Sequence, residues 1–178
     1  EEEEMTQMAK KSLEHGFDLT IHAIGDRAVE TFLDACLNNH DTIKAKGFRP
    51  SVIHSQIMNE AIFRKYRELD AIALVQPMYI HSDWQIADDR VGERMKTSYC
   101  YKTMRDLNIR CAAGSDLPIE DVNPMAGIQV NVTREGLSGN PKGGWYPSER
   151  LSVMEAVKFH TLYGAYVSKD ENKYGTLE

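Results

Sequence analysis

An α/β fold with parallel strands is predicted for this 178-residue chain. Short apolar, β-branched runs alternate four times with longer segments whose apolar residues recur at helical spacing. The connections are long enough for crossovers between parallel neighbours. Three of these strands end in a histidine or an aspartate. In parallel α/β proteins that edge is where ligands and metals are held.

Residues 1–15 read as a helix, with Met5, Met8, Ala9, Ser12 and Leu13 on one face and Gly16 as its stop. Leu19, Thr20 and Ile21 form the first strand, ending at His22. Gly25-Asp26 breaks the pattern, and Asp26 is placed to cap a helix carrying Val29, Phe32, Leu33, Cys36 and Leu37. A polar connection containing Gly47 and Pro50 leads to a second strand, 51–56, with His54 near its end. Asn59 opens a helix with Ile62, Phe63, Tyr66 and Leu69 on one side. Residues 71–76 form a third buried strand closed by Pro77, and a loop of mixed character follows. A helix is expected over 92–107, then a fourth strand over 109–113, terminated by Gly114-Ser115-Asp116. A further helix over 124–134 and a Gly- and Pro-rich loop over 136–147 precede a capping box, Ser152 with Glu155. That box starts a long helix through Ala165.

Apolar residues make up 42% and charged residues 27% of the chain, the balance of a globular protein with a real core. A net charge of −6 without a basic stripe argues against nucleic acid as partner. Three scattered cysteines, Cys36, Cys100 and Cys111, make no CxxC pair and suit a reducing, cytoplasmic setting. No run reaches the length of a membrane span, so no membrane partner is expected.

The chemistry gathers at strand ends. His22, His54 and Asp116 are residue types that ligate zinc and similar divalent ions. Neighbouring parallel strands lie about 5 Å apart, so their terminal side chains can converge on one ion. A carboxylate beside a metal-activated water can take its proton and return it to a leaving group.

Four further stretches sharpen this. His22-Ala23-Ile24-Gly25-Asp26-Arg27-Ala28, Ile53-His54-Ser55-Gln56, Gln76-Pro77 and Gly114-Ser115-Asp116-Leu117-Pro118 follow one another in this order. In them the chain resembles the C-terminal half of a YtcJ-like member of the amidohydrolase superfamily of metal-dependent hydrolases. Asp83-Trp84, Arg90-Val91-Gly92-Glu93-Arg94, Val132-Thr133-Arg134 and Gly175-Thr176-Leu177-Glu178 fit the same resemblance, which spans nearly the whole sequence. It implies one partial domain over 1–178, corresponding to strands five to eight of a (β/α)8 TIM barrel. It also implies His22, His54 and Asp116 as ligands of one or two divalent ions, zinc foremost, with Asp116 as proton shuttle. The expected activity is hydrolysis of non-peptide carbon–nitrogen bonds in a small-molecule substrate. The family's paired histidines of strand one and its ligand of strand four have no counterpart in this sequence. Half of the metal site is therefore expected to be absent, and a catalytically silent half-barrel is the alternative. Two free strand edges and an open inner face point to a homodimer or to a missing N-terminal half as partner.

Other candidates read as structural. Asp26 and Arg27 suit a cap and an ion pair, and Trp145 and Tyr146 suit packed anchors of their loop. Tyr79 and His81 take no ligand role, while His15, His40 and His160 fit surface or helix packing. His40-Asp41 does not belong to an HD-type phosphohydrolase, whose fold is all helical. Ser115 lacks the flanking glycines of a nucleophile elbow.

Overall fold

The computed structural model describes residues 2–177. Glu1 of the expected first helix and Glu178 of the closing motif lie outside them. In chain order the elements are α1 (Glu2–Glu14), β1 (Thr20–Ala23), α2 (Asp26–Leu37), α3 (His40–Lys46), β2 (Ser51–His54), α4 (Glu60–Leu69) and β3 (Ile72–Val75). After these come α5 (Tyr79–Asp83), α6 (Ala87–Val91), a 3-10 turn (Gly92–Thr97), α7 (Tyr101–Asp106) and β4 (Arg110–Ala113). Then follow α8 (Pro124–Thr133), a short 3-10 turn (Pro147–Glu149), α9 (Val153–His160) and α10 (Leu162–Val167).

The four strands make one sheet in the order β1-β2-β3-β4, every pair parallel. Sequential parallel neighbours joined by helices are the arrangement of successive βα units in a barrel wall. Register separates the two faces. Ile21, Ala23, Val52, Ala73, Val75, Cys111 and Ala113 face the helices and join the main core. Thr20, His22, Ile53, Leu74 and Ala112 fall on the other face, which in a closed barrel is the interior. On that face His22 and Thr20 are exposed and Ile53 and Leu74 partly buried, while Ser51, Ile72 and Ala112 are buried.

Several helical stretches differ from the sequence-based expectation. The polar connection after α2 contains a helix, α3, closed by Gly47 at φ 65°. The mixed loop after Pro77 holds α5 and α6. The helix expected over 92–107 is broken between Thr97 and Tyr101, where Tyr99 adopts φ 49°. Its amide donates to the Gln56 carbonyl and its hydroxyl to Asp83, so contacts from other elements outweigh local helical preference. The final helix turns at Thr161, with φ −126° and ψ −83°. The Ser152–Glu155 capping box forms as read.

The 136–147 loop is pinched at its base by Arg134 and Trp145. The Trp145 amide donates to the Arg134 carbonyl, and Arg134 Nε donates to the Trp145 carbonyl. Trp145 is buried against Tyr99, and both Trp145 Nε1 and the Tyr146 hydroxyl donate to Asp88 on α6. These aromatics anchor the loop by packing, as expected for Trp145 and Tyr146. His81 accepts the Leu137 amide and so ties the same loop to α5.

Candidate metal centre

Regular alternation along a strand would send His22 and His54 to opposite faces. His22 is in register with Ile53, and Ala23 with His54, so by parity His54 belongs with the helix-facing residues. Yet the rings of His22 and His54 stand 4.4 Å apart, centroid to centroid, at an interplanar angle of 80°. The backbone resolves this: His54 and Ser55 adopt φ 82° and φ 50°, in the left-handed region that non-glycine residues rarely visit. Such conformers cost about 1–3 kcal/mol each and persist where the surroundings enforce them. Here the Ser55 amide donates to the Ala23 carbonyl and its hydroxyl to the Val52 carbonyl. Behind the turn, Ser55 Oγ and the buried Tyr66 hydroxyl are 2.6 Å apart.

His54 is 2% exposed, and its two ring nitrogens have different work. Gln76 Nε2 donates to the Leu74 carbonyl, which points Gln76 Oε1 at His54 Nδ1, 2.8 Å away. Nδ1 therefore carries the proton and donates, leaving the Nε2 lone pair free. Nε2 lies 3.8 Å from Asp116 Oδ2. Burial pushes the His54 pKa down, helped by the neighbouring His22 ring and opposed by the Gln76 hydrogen bond and the Asp116 carboxylate. The neutral, ligating form is favoured.

Asp116 sits just beyond β4, also left-handed at φ 58°. The Tyr79 hydroxyl donates to its Oδ2 at 2.6 Å, while the Tyr79 ring stacks on His54 with centroids 5.7 Å apart. Burial and this contact with Asp116 raise the Tyr79 pKa, so the phenol stays protonated. Thus His22, His54 and Asp116 meet at the carboxyl end of the sheet. The three side chains are of kinds that ligate a divalent ion, but among the described residues no three His, Cys, Asp or Glu side chains form a group that could hold one. Asp116 is turned onto Tyr79 instead.

Gln76 and Tyr79, a motif residue and a residue without a ligand role in the sequence, bond to His54 and Asp116 in the fold. Gln-Pro was recognisable as a motif, but only the fold brings Gln76 to His54. Asp26 does not cap α2. Gly25 holds the cap position, and Asp26, the first helical residue, accepts from the Arg27 amide and pairs with Arg94. His15 follows α1, His40 opens α3 and His160 ends α9. His160 Nε2 is buried without a hydrogen-bond partner, and burial lowers its pKa.

The amidohydrolase family model matches residues 1–178. The chain belongs to the amidohydrolase family. It is 33% identical to YtcJ of Bacillus subtilis (strain 168), over 99% of this chain and 33% of that protein. It is 22% identical to an N-substituted formamide deformylase of Arthrobacter pascens, over 98% of this chain and 32% of that one. A solved metal-dependent hydrolase from Pyrococcus horikoshii OT3 superposes with a TM-score of 0.80 at 30% identity, covering 100% of this chain and 35% of the other. The chain thus spans about a third of the length of these relatives. Within the amidohydrolase family the observed four-stranded wall is the half-barrel that the sequence resemblance implied. No helix among the described residues is long and apolar enough to cross a membrane.

Two imidazoles, the buried His54 and the half-buried His160, make stability depend on pH. Both resist protonation when folded, whereas an unfolded imidazole titrates near about 6.5. The unfolded chain then binds more protons at acid pH. Stability is complete above about pH 6.5 and declines as pH falls through the depressed folded values. The urea midpoint should drop between about pH 7.5 and about pH 5, and His160→Gln should shallow the drop. An identical drop in the variant would remove His160 from this account.

Proposed function

We propose that this chain supplies the strand-five to strand-eight side of a metal-dependent hydrolase site acting on non-peptide carbon–nitrogen bonds of the amide type. The observation that carries the reading is the turning of His54 out of strand alternation, toward His22 and Asp116 and with Nε2 unprotonated. His54 Nε2, the His22 ring and the Asp116 carboxylate would hold one or two divalent ions, zinc in this reading. When bound, such an ion polarises a carbonyl and makes water acidic enough to be deprotonated near neutral pH. Asp116 Oδ1, free of the Tyr79 bond, takes the proton of the attacking water and returns it to the leaving nitrogen. Tyr79 keeps the carboxylate turned, and Gln76 keeps the His54 tautomer. Likeness to a formamide deformylase supports a small-molecule amide as substrate. The free cysteines suit a cytoplasmic setting.

Cobalt(II) titration followed by visible absorption tests the site. Binding should be weak, since the described donors make no complete group, and lost in His54→Ala and in Asp116→Asn. Gln76→Ala, which frees the His54 tautomer, should weaken binding by about 10- to 100-fold. Equal binding by wild type and all variants would refute the site. A catalytically silent half-barrel is the second reading, favoured by the same incomplete donor group, and it predicts no cobalt binding.

The same open wall bears on assembly. Beside β1, a groove of about 690 Å³ is lined by Met5, Met8, Ile21 and His22. In a barrel a further strand pairs along that edge. We take a second copy of the chain, or an N-terminal half-barrel, as its partner. Sedimentation of the purified chain should give a dimer, and a monodisperse monomer at high concentration would rule the homodimer out.

A further inference from the structure

The segments that follow the three candidate donors all run into one cleft. Ile24 comes two residues after His22, Gln56 and Ile57 directly beyond His54 and Ser55, and Ile119 three residues after Asp116. With Tyr79, Ile86 just before α6 and Val91 at its end, they line a cleft of about 660 Å³. Tyr79 is shared with the donor cluster, so the cleft opens beside the reacting centre.

Its surface is hydrocarbon held in water. Ile24, Ile86 and Ile119 are 40%, 45% and 66% exposed, gathered around one concavity rather than scattered. Most charges near it are already engaged. Asp83 accepts from Tyr99 and Gln56, Arg94 pairs with Asp26, and Glu120 accepts from Ser82. One buried polar atom is left over: Gln56 gives its Nε2 hydrogens to Asp83 and Tyr99, while its Oε1 has no partner among the described residues. A buried acceptor without a donor is costly unless something supplies one. The N–H of a secondary amide is such a donor.

We propose that this cleft receives an uncharged, branched or cyclic hydrocarbon substituent of a secondary amide substrate. The proposal rests on the amide-hydrolase reading above and narrows its substrate class. The isoleucine side chains gain by removing the substituent from water, and Gln56 Oε1 accepts the amide N–H. Arg90, exposed at the rim, is the group that would instead read an acidic substituent.

The test is a methyl NMR titration of the isoleucine-labelled chain with N-cyclohexylacetamide and with N-methylacetamide. Saturable shifts are expected at Ile24, Ile57, Ile86 and Ile119, and none at Ile43 or Ile62 in the main core. The cyclohexyl probe should bind at least about tenfold more tightly than the methyl one. Ile86→Glu changes an exposed side chain, and should erase that preference while leaving the core methyl signals in place. Equal affinity for the two amides, or shifts confined to other methyls, would overturn the proposal. So would tighter binding of 4-acetamidocyclohexanecarboxylate that is lost in Arg90→Ala. Cobalt titration separates the two levels. Cobalt binding without amide binding overturns the cleft alone, and amide binding without cobalt leaves the cleft standing and overturns the hydrolase reading.

Discussion

By itself the chain is expected to hydrolyse amides no faster than its own Asp116→Asn variant. The donors His22, His54 and Asp116 gather at the sheet's carboxyl end, yet no complete ligand group exists among the described residues. A catalytic ion needs three protein donors in place and an open position for water. On the inner face of the sheet Thr20 and His22 are likewise exposed, so water reaches any amide bound beside His22 from the side that a closed barrel would cover. Amine release from a chromogenic anilide, with and without a chelator, measures this directly. Steady, chelator-sensitive turnover by the isolated chain would refute it. In a longer protein that completes the barrel, Asp116→Asn should lower turnover by about 10²- to 10⁴-fold, the range of a lost general acid–base group.

Arg134→Ala should destabilise the chain strongly, by about 3 kcal/mol. Arg134 is fully buried, and among the described residues no carboxylate is hydrogen-bonded to its guanidinium. Its Nε and Nη1 donate to the carbonyls of Trp145 and Tyr99, and its plane lies near the rings of Tyr101 and Trp145. Burial accordingly lowers its pKa. Truncation would orphan two buried carbonyls and open a cavity where the 136–147 loop meets the Tyr99 turn. Because Trp145 is buried at that junction, its fluorescence reports unfolding in urea. Arg134→Lys, which cannot span both carbonyls, should recover only part of the loss. A loss below about 1 kcal/mol for the alanine variant would show that the loop is held elsewhere, by the Asp88 contacts or by Arg150.

The helix breaks show where local signals stop. Ser152 and Glu155 satisfy each other within one turn, so the start of α9 was legible from four consecutive residues. The residues around Tyr99 carry helix-compatible chemistry, and nothing nearby announces a left-handed residue. Gln56 and Asp83, far away in sequence, pull Tyr99 out of the helix. The short helices α5 and α6 were unreadable for a related reason. They are stabilised by Asp88 bonding to the 136–147 loop and by His81 accepting Leu137, contacts with no sequence periodicity.

Strand number and parallel pairing were legible in the sequence alone, because alternation between strand and helix periods is local; the three candidate donors were picked out at strand ends, and their role rested on the family resemblance. Which face those donors occupy was a tertiary decision. Parity along β2 sends His54 to the helix side, and only the left-handed turn clamped by Ala23, Val52 and Tyr66 brings its ring to His22. The same holds for the hydrogen bonds that prepare the site. Gln76 and Tyr79 were visible as residues, but their bonds to His54 and Asp116 exist only once β2, β3 and β4 lie side by side. A strand's sequence encodes its own pleat, whereas a side chain's partner across the sheet is set by register and backbone strain, which no single segment carries.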